Sequence, residues 1–145
     1  MRTIFMETTK ISPEKTIAQI QELLSKHGVK NVMLQYDGFG NISAMSFTLI
    51  DSQVPYLLPA RHESLIKLAE REKLRYLKSN DEDQARRIAW RQVFRWIEAQ
   101  IAMIEIGMVE MQEVFLPYMM VDEYRTIFQL YKDNGLKLLK ERVNE

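Results

Sequence analysis

The residues best suited to chemistry in this chain lie in one run. Arg87, Arg91 and Arg95 recur at i, i+4 and i+8, so a helix brings their guanidinium groups onto one ridge. Trp90 and Phe94 interleave them. Cations one turn apart beside aromatic rings suit a nucleic-acid backbone, the cations taking phosphates and the rings stacking on bases. The same ridge, extended by Gln84, Glu98 and Glu105, also suits a solvated helix face closed by its own ion pairs, with Arg95 reaching Glu98 at i, i+3. Trp96 and Met103 stand on a separate apolar stripe that a partner could cover. Arg87, Arg91, Arg95, Trp90, Trp96 and Met103 are therefore the candidate residues for binding nucleic acid or a partner.

Other chemistries find less support. The chain has no cysteine, which removes disulfides, thiolate nucleophiles and Cys-containing zinc sites. Its two histidines, His27 and His62, are far apart, and there is no HExxH or ExxH pair for zinc or di-iron. Glu98, Glu105, Glu110 and Glu113 leave the helix in several directions, and no spacing gathers them with Asp37 or Asp122 into the carboxylate cluster of a metal-dependent nuclease. No G-x-S-x-G elbow, phosphate-binding loop or dinucleotide fingerprint occurs. No catalytic residue, metal ligand or cofactor is assigned.

The elements that must position the arginine row follow from periodicity. Ser12-Pro13-Glu14 starts a helix, with Ser12 as cap and Pro13 at the first turn. Ile17, Ile20, Leu23 and Leu24 recur at helical spacing, and Gly28 ends the run. Residues 3–6 are expected as a short strand. Val32, Leu34 and Tyr36 then alternate with Met33, Gln35 and Asp37. Turn residues 37–41 follow, and Met45, Phe47 and Leu49 alternate with Ser46 and Thr48, giving a hairpin. Val54–Leu58 is a third strand, placed at an edge by Pro55. A helix is expected over 61–76, with Leu65, Leu68, Ala69 and Tyr76 inward. Ser79 and Glu82 then form a capping box that opens a helix over 81–113, about 50 Å long. Pro117 stops it, and a last helix covers 124–133, with Gly135 and a short amphipathic tail beyond.

The long helix is apolar on two sides. Trp90, Val93, Phe94, Ile97, Ile101, Ile104, Met108, Met111 and Phe115 form a wide core stripe. Ala85, Ile88, Ala89, Trp96, Ala99, Met103 and Ile106 form a weaker one roughly opposite. Helices with two apolar faces are usually buried on two sides, here by other helices of the chain or by a second copy in a homo-oligomer. The fold class is α+β: an N-terminal helix and a three-stranded antiparallel meander packed on the long helix, within one domain over residues 1–145.

Charge is uneven beneath a formal net of zero. Residues 67–95 carry nine basic and five acidic groups, whereas residues 96–124 carry six acidic groups and no basic one. The N-terminus, interrupted by Glu7 and Lys10, does not read as a signal peptide, and no apolar run approaches membrane-spanning length, so a cytoplasmic protein without membrane contact is expected.

Gln84-Ala85-Arg86-Arg87-Ile88-Ala89-Trp90-Arg91, Trp96-Ile97-Glu98-Ala99-Gln100-Ile101-Ala102, Gly107-Met108-Val109-Glu110 and Glu113-Val114-Phe115-Leu116-Pro117-Tyr118 resemble a family of small uncharacterised proteins encoded by bacteriophages, prophages and bacterial mobile elements. Met45-Ser46-Phe47 and Val54–Pro59 fit the same pattern. The resemblance transfers no catalytic or binding residue. It implies a phage-like context, and with the arginine row, the uneven charge and the second apolar stripe the expectation is a non-enzymatic phage or prophage accessory protein that binds nucleic acid or a nucleic-acid-processing protein. Its alternative is an anti-defence inhibitor or nucleotide-signal sponge aimed at a host defence component.

Overall fold

The computed structural model describes residues 1–143, with side chains through Gly135. The elements in chain order are α1 (Pro13–Ser25), β1 (Val29–Tyr36), β2 (Ile42–Leu49), β3 (Tyr56–Leu57), α2 (His62–Arg71), α3 (Glu82–Glu105), α4 (Met111–Phe115), a 3-10 turn (Leu116–Tyr118) and α5 (Ile127–Val143). The α+β class holds, with an N-terminal helix, an antiparallel sheet in the order β1-β2-β3, and α3 as the longest helix.

Local chemistry sets the boundaries. Ser12 accepts a hydrogen bond from the Lys15 N–H and Pro13 occupies the first turn of α1, which satisfies one orphan donor and removes another. Met45, Phe47 and Leu49 point into the core, and their alternates Ala44, Ser46 and Thr48 form the outer face of β2. On β1 the outward partners of these are Gln35, Met33 and Asn31. β3 is shorter than expected, with only Tyr56 and Leu57 paired to β2, because Pro55 and Pro59 restrict the backbone at either end.

α3 lies between two cores. On one side Trp90, Val93, Phe94, Ile97 and Ile101 meet Ile17, Ile20 and Leu24 of α1, Met45 and Phe47 of β2, and Phe115 of α4. On the other, Ala85 and Ile88 meet Leu74 and Leu77, with Leu65, Ile66, Leu68 and Ala69 of α2 packed against them. The N-terminal half of the second apolar stripe is thus covered by the chain itself.

Several expectations are corrected. The long helix stops at Glu105 rather than 113, about 36 Å from its start. Gly107 takes φ 80°. Its N–H donates to the Ile104 carbonyl and the Met108 N–H to the Met103 carbonyl, the paired bonds by which a left-handed residue closes a helix. Met108 leaves the core stripe and becomes exposed, while Met111 and Phe115 reach the core from the separate helix α4. The cap of α3 is Asp81, which accepts from the Gln84 N–H, and Ser79 makes no such bond; Glu82 pairs with Arg86 instead. α2 ends at Arg71, so the following segment runs on without helix; Leu74 and Leu77 turn inward and Tyr76 outward. α5 starts at Ile127, not 124, because Thr126 and Gln129 exchange side-chain-to-backbone bonds across its first turn. It also runs through Gly135, and the amphipathic character expected of the tail lies outside the described side chains.

Residues 3–6 are not a strand. They enter a turn in which Met6 has φ 66°, and only Arg2 bridges to Leu74. The cause is Glu7. Its buried carboxylate accepts hydrogen bonds from the N–H groups of Ile4 (2.8 Å), Leu77 (2.7 Å) and Tyr76. The Gln84 amide then donates to the Glu7 and Thr9 carbonyls, and the Gln92 amide to that of Phe5. Burial alone would raise the Glu7 pKa, but the three N–H donors and the charge of Arg75 outweigh it and hold the carboxyl below its ordinary range. The folded state therefore binds this proton less readily than the unfolded chain. The stabilisation is complete above the ordinary glutamate pKa of about 4.3 and is lost as pH falls through the lower folded value.

Two outcomes follow for stability. Glu7→Ala strands one buried and two part-buried donors and should cost about 2–3 kcal/mol, a fall of roughly 4–12 °C in Tm; Glu7→Gln should lose less and flatten the acid limb of a Tm-against-pH curve. A Cβ at Gly107 meets nothing within 4 Å, so Gly107→Ala should cost only the dihedral strain, about 1–2 kcal/mol in a denaturant melt, and Gly107→Asn less.

Candidate functional site

The arginine row lies on α3 as the spacing requires, but its members are differently placed. Arg91 is only 5% exposed. Its Nη1 donates to the Gln19 amide oxygen (2.5 Å) and lies 3.5 Å from the Thr16 hydroxyl, both on α1. Its guanidinium sits 4.7 Å from the centre of the Phe94 ring, and Nε is buried without a partner. Burial pushes its pKa down, and the neighbouring Arg95 charge adds to the effect. Arg87 is half-buried and donates to Gln84 (2.8 Å). Arg95 is exposed but pairs with Glu98 (2.8 Å) and lies 5.7 Å from the Phe94 ring.

The aromatics do not flank this row at the surface. Trp90 is buried in the main core. Trp96 is half-buried and edge-on to Phe115 and Tyr118, with centroids 5.4 and 5.5 Å apart. Met103 is half-buried near the end of α3, and Ile106 beside it is exposed. The structure brings Arg87, Arg91 and Arg95 onto one side but does not gather Trp90, Trp96 and Met103 with them. The basic excess of residues 67–95 lies largely elsewhere, on the exposed Lys67, Arg71, Lys73, Arg75 and Lys78, with Glu70 and Glu72 interspersed.

The carboxylates are used locally. Asp37 accepts from the N–H of Phe39 (2.7 Å), the N–H of Asn41 and the Asn41 amide, and these bonds, led by that of Phe39, lower its pKa. Asp122 does the same for Tyr124 and Arg125, and the Tyr124 N–H leads the lowering of its pKa. His27 bridges the ends of α1 and α3 through the Leu23 carbonyl (2.8 Å) and Glu105 (2.9 Å). Among the described residues no three His, Asp or Glu side chains converge to hold a metal ion, and no helix is long and apolar enough to cross a membrane.

A different concavity stands on the outer face of the sheet. It measures 410 Å³. Its floor is the small pair Ala44 and Ser46 on β2, one side is Met33 and Gln35 of β1, and the other is Leu57, Met120 and Tyr124, with Asp122 and Glu123 at the rim. The arm that builds the far side is fixed by the chain's return. The Met120 N–H donates to the Pro55 carbonyl (2.8 Å), Met119 bridges Tyr56, and Met120 bridges Thr126. Periodicity marks Ser46 as outward-facing, and the small-on-one-face, large-on-the-other alternation of Ala44 to Phe47 is its one sequence signal. The arm depends on pairing between residues about 65 apart, which no local pattern shows.

The chain matches no protein-family model, no curated protein and no solved structure.

The state of the arginines is open to measurement. Arg91→Ala should cost about 2–3 kcal/mol by opening a cavity against α1, whereas Arg91→Met, which keeps the apolar stem and removes the buried charge, should lie within about 1 kcal/mol of the wild type or above it. Arg95→Ala should change stability by no more than about 0.5 kcal/mol.

Proposed function

We propose that this protein acts by binding rather than by catalysis, that its partner is a protein, and that contact is made on the outer face of the sheet. The groove over Ala44 and Ser46 carries this reading. It is concave and partly apolar, its sides hold Met33, Leu57, Met120 and Tyr124, and acidic groups stand at its rim. An apolar hollow with a few polar groups at its edge is what a partner's hydrophobic side chain requires. Of the two rim carboxylates Asp122 is paired with Arg125, and Glu123 favours a basic residue beside that anchor.

Nucleic acid is the less favoured partner because the row that would track phosphates is occupied. One guanidinium is buried, one is paired with a carboxylate and one is held by an amide. The resemblance to phage- and prophage-encoded proteins supplies the context: the partner is sought among bacterial proteins that process nucleic acid or defend against phage.

Ser46→Trp fills the floor of the groove from an outward-facing position. The variant should keep its fold by circular dichroism, and affinity for a partner isolated on the wild-type chain should fall at least about tenfold, while Arg95→Ala leaves it unchanged. A salt-sensitive shift of DNA that Arg87→Ala and Arg95→Ala abolish, with Ser46→Trp behaving as wild type, would overturn the reading in favour of nucleic acid.

A further inference from the structure

The two edges of the sheet are treated differently. The outer edge of β3 is covered by Met119 and Met120, whereas no hydrogen bond from another described residue reaches the outer edge of β1. Which groups that edge presents follows from one bond. The Leu58 N–H donates to the Met45 carbonyl (3.0 Å), so Met45 directs its backbone groups toward β3 and its neighbours Ala44 and Ser46 direct theirs toward β1. Their register partners Gln35 and Met33 therefore face β2. Val32 and Leu34 are left pointing their N–H and C=O groups outward, since backbone directions alternate along a strand. An eight-residue strand with neither Pro nor Gly and an open edge is a template for another strand.

We propose that this edge pairs with β1 of a second copy, antiparallel about a two-fold axis through Met33, to give a continuous six-stranded sheet. The strand is self-complementary in that register. Val32 exchanges both backbone bonds with Leu34 of the second copy, and Leu34 does so with its Val32. On the outer face Met33 meets Met33, and Asn31 meets Gln35, an amide pair able to donate and accept in both directions. Lys30 is the single charge on β1 and lies at its bulged start, three residues from the axis, so the two Lys30 side chains stand far apart and no like charges oppose each other. Met33, 61% exposed, gains an apolar neighbour. The two-fold axis is perpendicular to the sheet, which places both outer grooves on the same side of the dimer. The dimer does not depend on what those grooves bind.

The chain contains no cysteine, so a single introduced thiol reports the register. The pair at the axis is a non-hydrogen-bonded one with Cα atoms about 4.5 Å apart. Met33→Cys, treated with diamide, should form a disulfide-linked dimer at least about tenfold faster than Gln35→Cys, whose thiols would stand roughly 13 Å apart along the strands. By light scattering the wild type should approach twice the monomer mass between roughly 10 μM and 1 mM. Met33→Lys and Met33→Glu should each remain monomeric, and an equal mixture of the two should dimerise again. Because Met33 is exposed, these variants keep the core intact. A wild type that stays monomeric over that range, equal cross-linking of the two cysteine variants, or no recovery on mixing would overturn the proposal.

Discussion

Everything in this fold depends on one helix being apolar on two sides. A surface helix needs cover along a single stripe, but α3 places Ile97 and Ile101 toward α1 and the sheet and Ala85 and Ile88 toward the α2 segment. Each fully buried Ile is worth about 1.5–3 kcal/mol relative to exposure, so neither side can be left open. The chain meets the first demand with its N-terminal helix and hairpin and the second with α2 and the extended segment carrying Leu74 and Leu77. The N-terminal turn then has to be held against that segment. The Glu7 carboxylate does so by accepting backbone N–H groups from both sides of the junction, and a buried carboxylate is tolerated there because charge-assisted bonds offset its desolvation.

The same packing decides the fate of the arginines. A helix wrapped on two sides keeps only narrow ridges in solvent, and Arg91 falls where α1 crosses. Its charge is met by neutral oxygens of Gln19 and Thr16 and by the Phe94 ring, with Nε left over. That is an expensive arrangement for a cation. Its long stem nevertheless fills the seam between the helices. Spacing alone cannot separate a guanidinium lying in such a seam from one held out to a ligand, because both satisfy the same i, i+4 rule.

Where local pattern and tertiary demand agree, the sequence was sufficient. Ser12-Pro13, the hairpin alternation and the strand edge at Pro55 are each set within a few residues and stand as read. The misreadings share a cause. Met108, Met111 and Phe115 continue the apolar period as if along one helix, but the left-handed turn at Gly107 resets the chain and the last two return to the core from a new axis. Ser79 and Glu82 had capping-box spacing, yet Asp81 stood closer to the first turn and took the bond. Strand-like residues 3–6 were overruled by Glu7, whose partners Tyr76 and Leu77 lie about seventy positions away. No local pattern marks the groove for the same reason: its floor is local and its far side is not.

Charge bears on the choice between partners. A backbone-tracking surface gains from several unneutralised cations in a line, since each phosphate contact releases a counterion. Here the cations of α3 are consumed by their own helix and by α1, through Arg86 to Glu82 and Asp83, Arg95 to Glu98, and Arg91 to Gln19. Lys67 and Arg71 of α2 stand among Glu70 and Glu72, and Arg2 pairs with Glu72, while Lys73, Arg75 and Lys78 are exposed beyond them. The charge of α3 is therefore taken up in short-range contacts, and the remaining basic excess lies on the surface of α2 and the segment after it. Besides the exposed Lys67, Arg71, Lys73, Arg75 and Lys78, the fold leaves without a partner the side chains of the outer sheet face and the backbone groups along β1. Both gain from contact with protein, the first by removing apolar area from water and the second by completing a ladder. An anionic polymer offers neither.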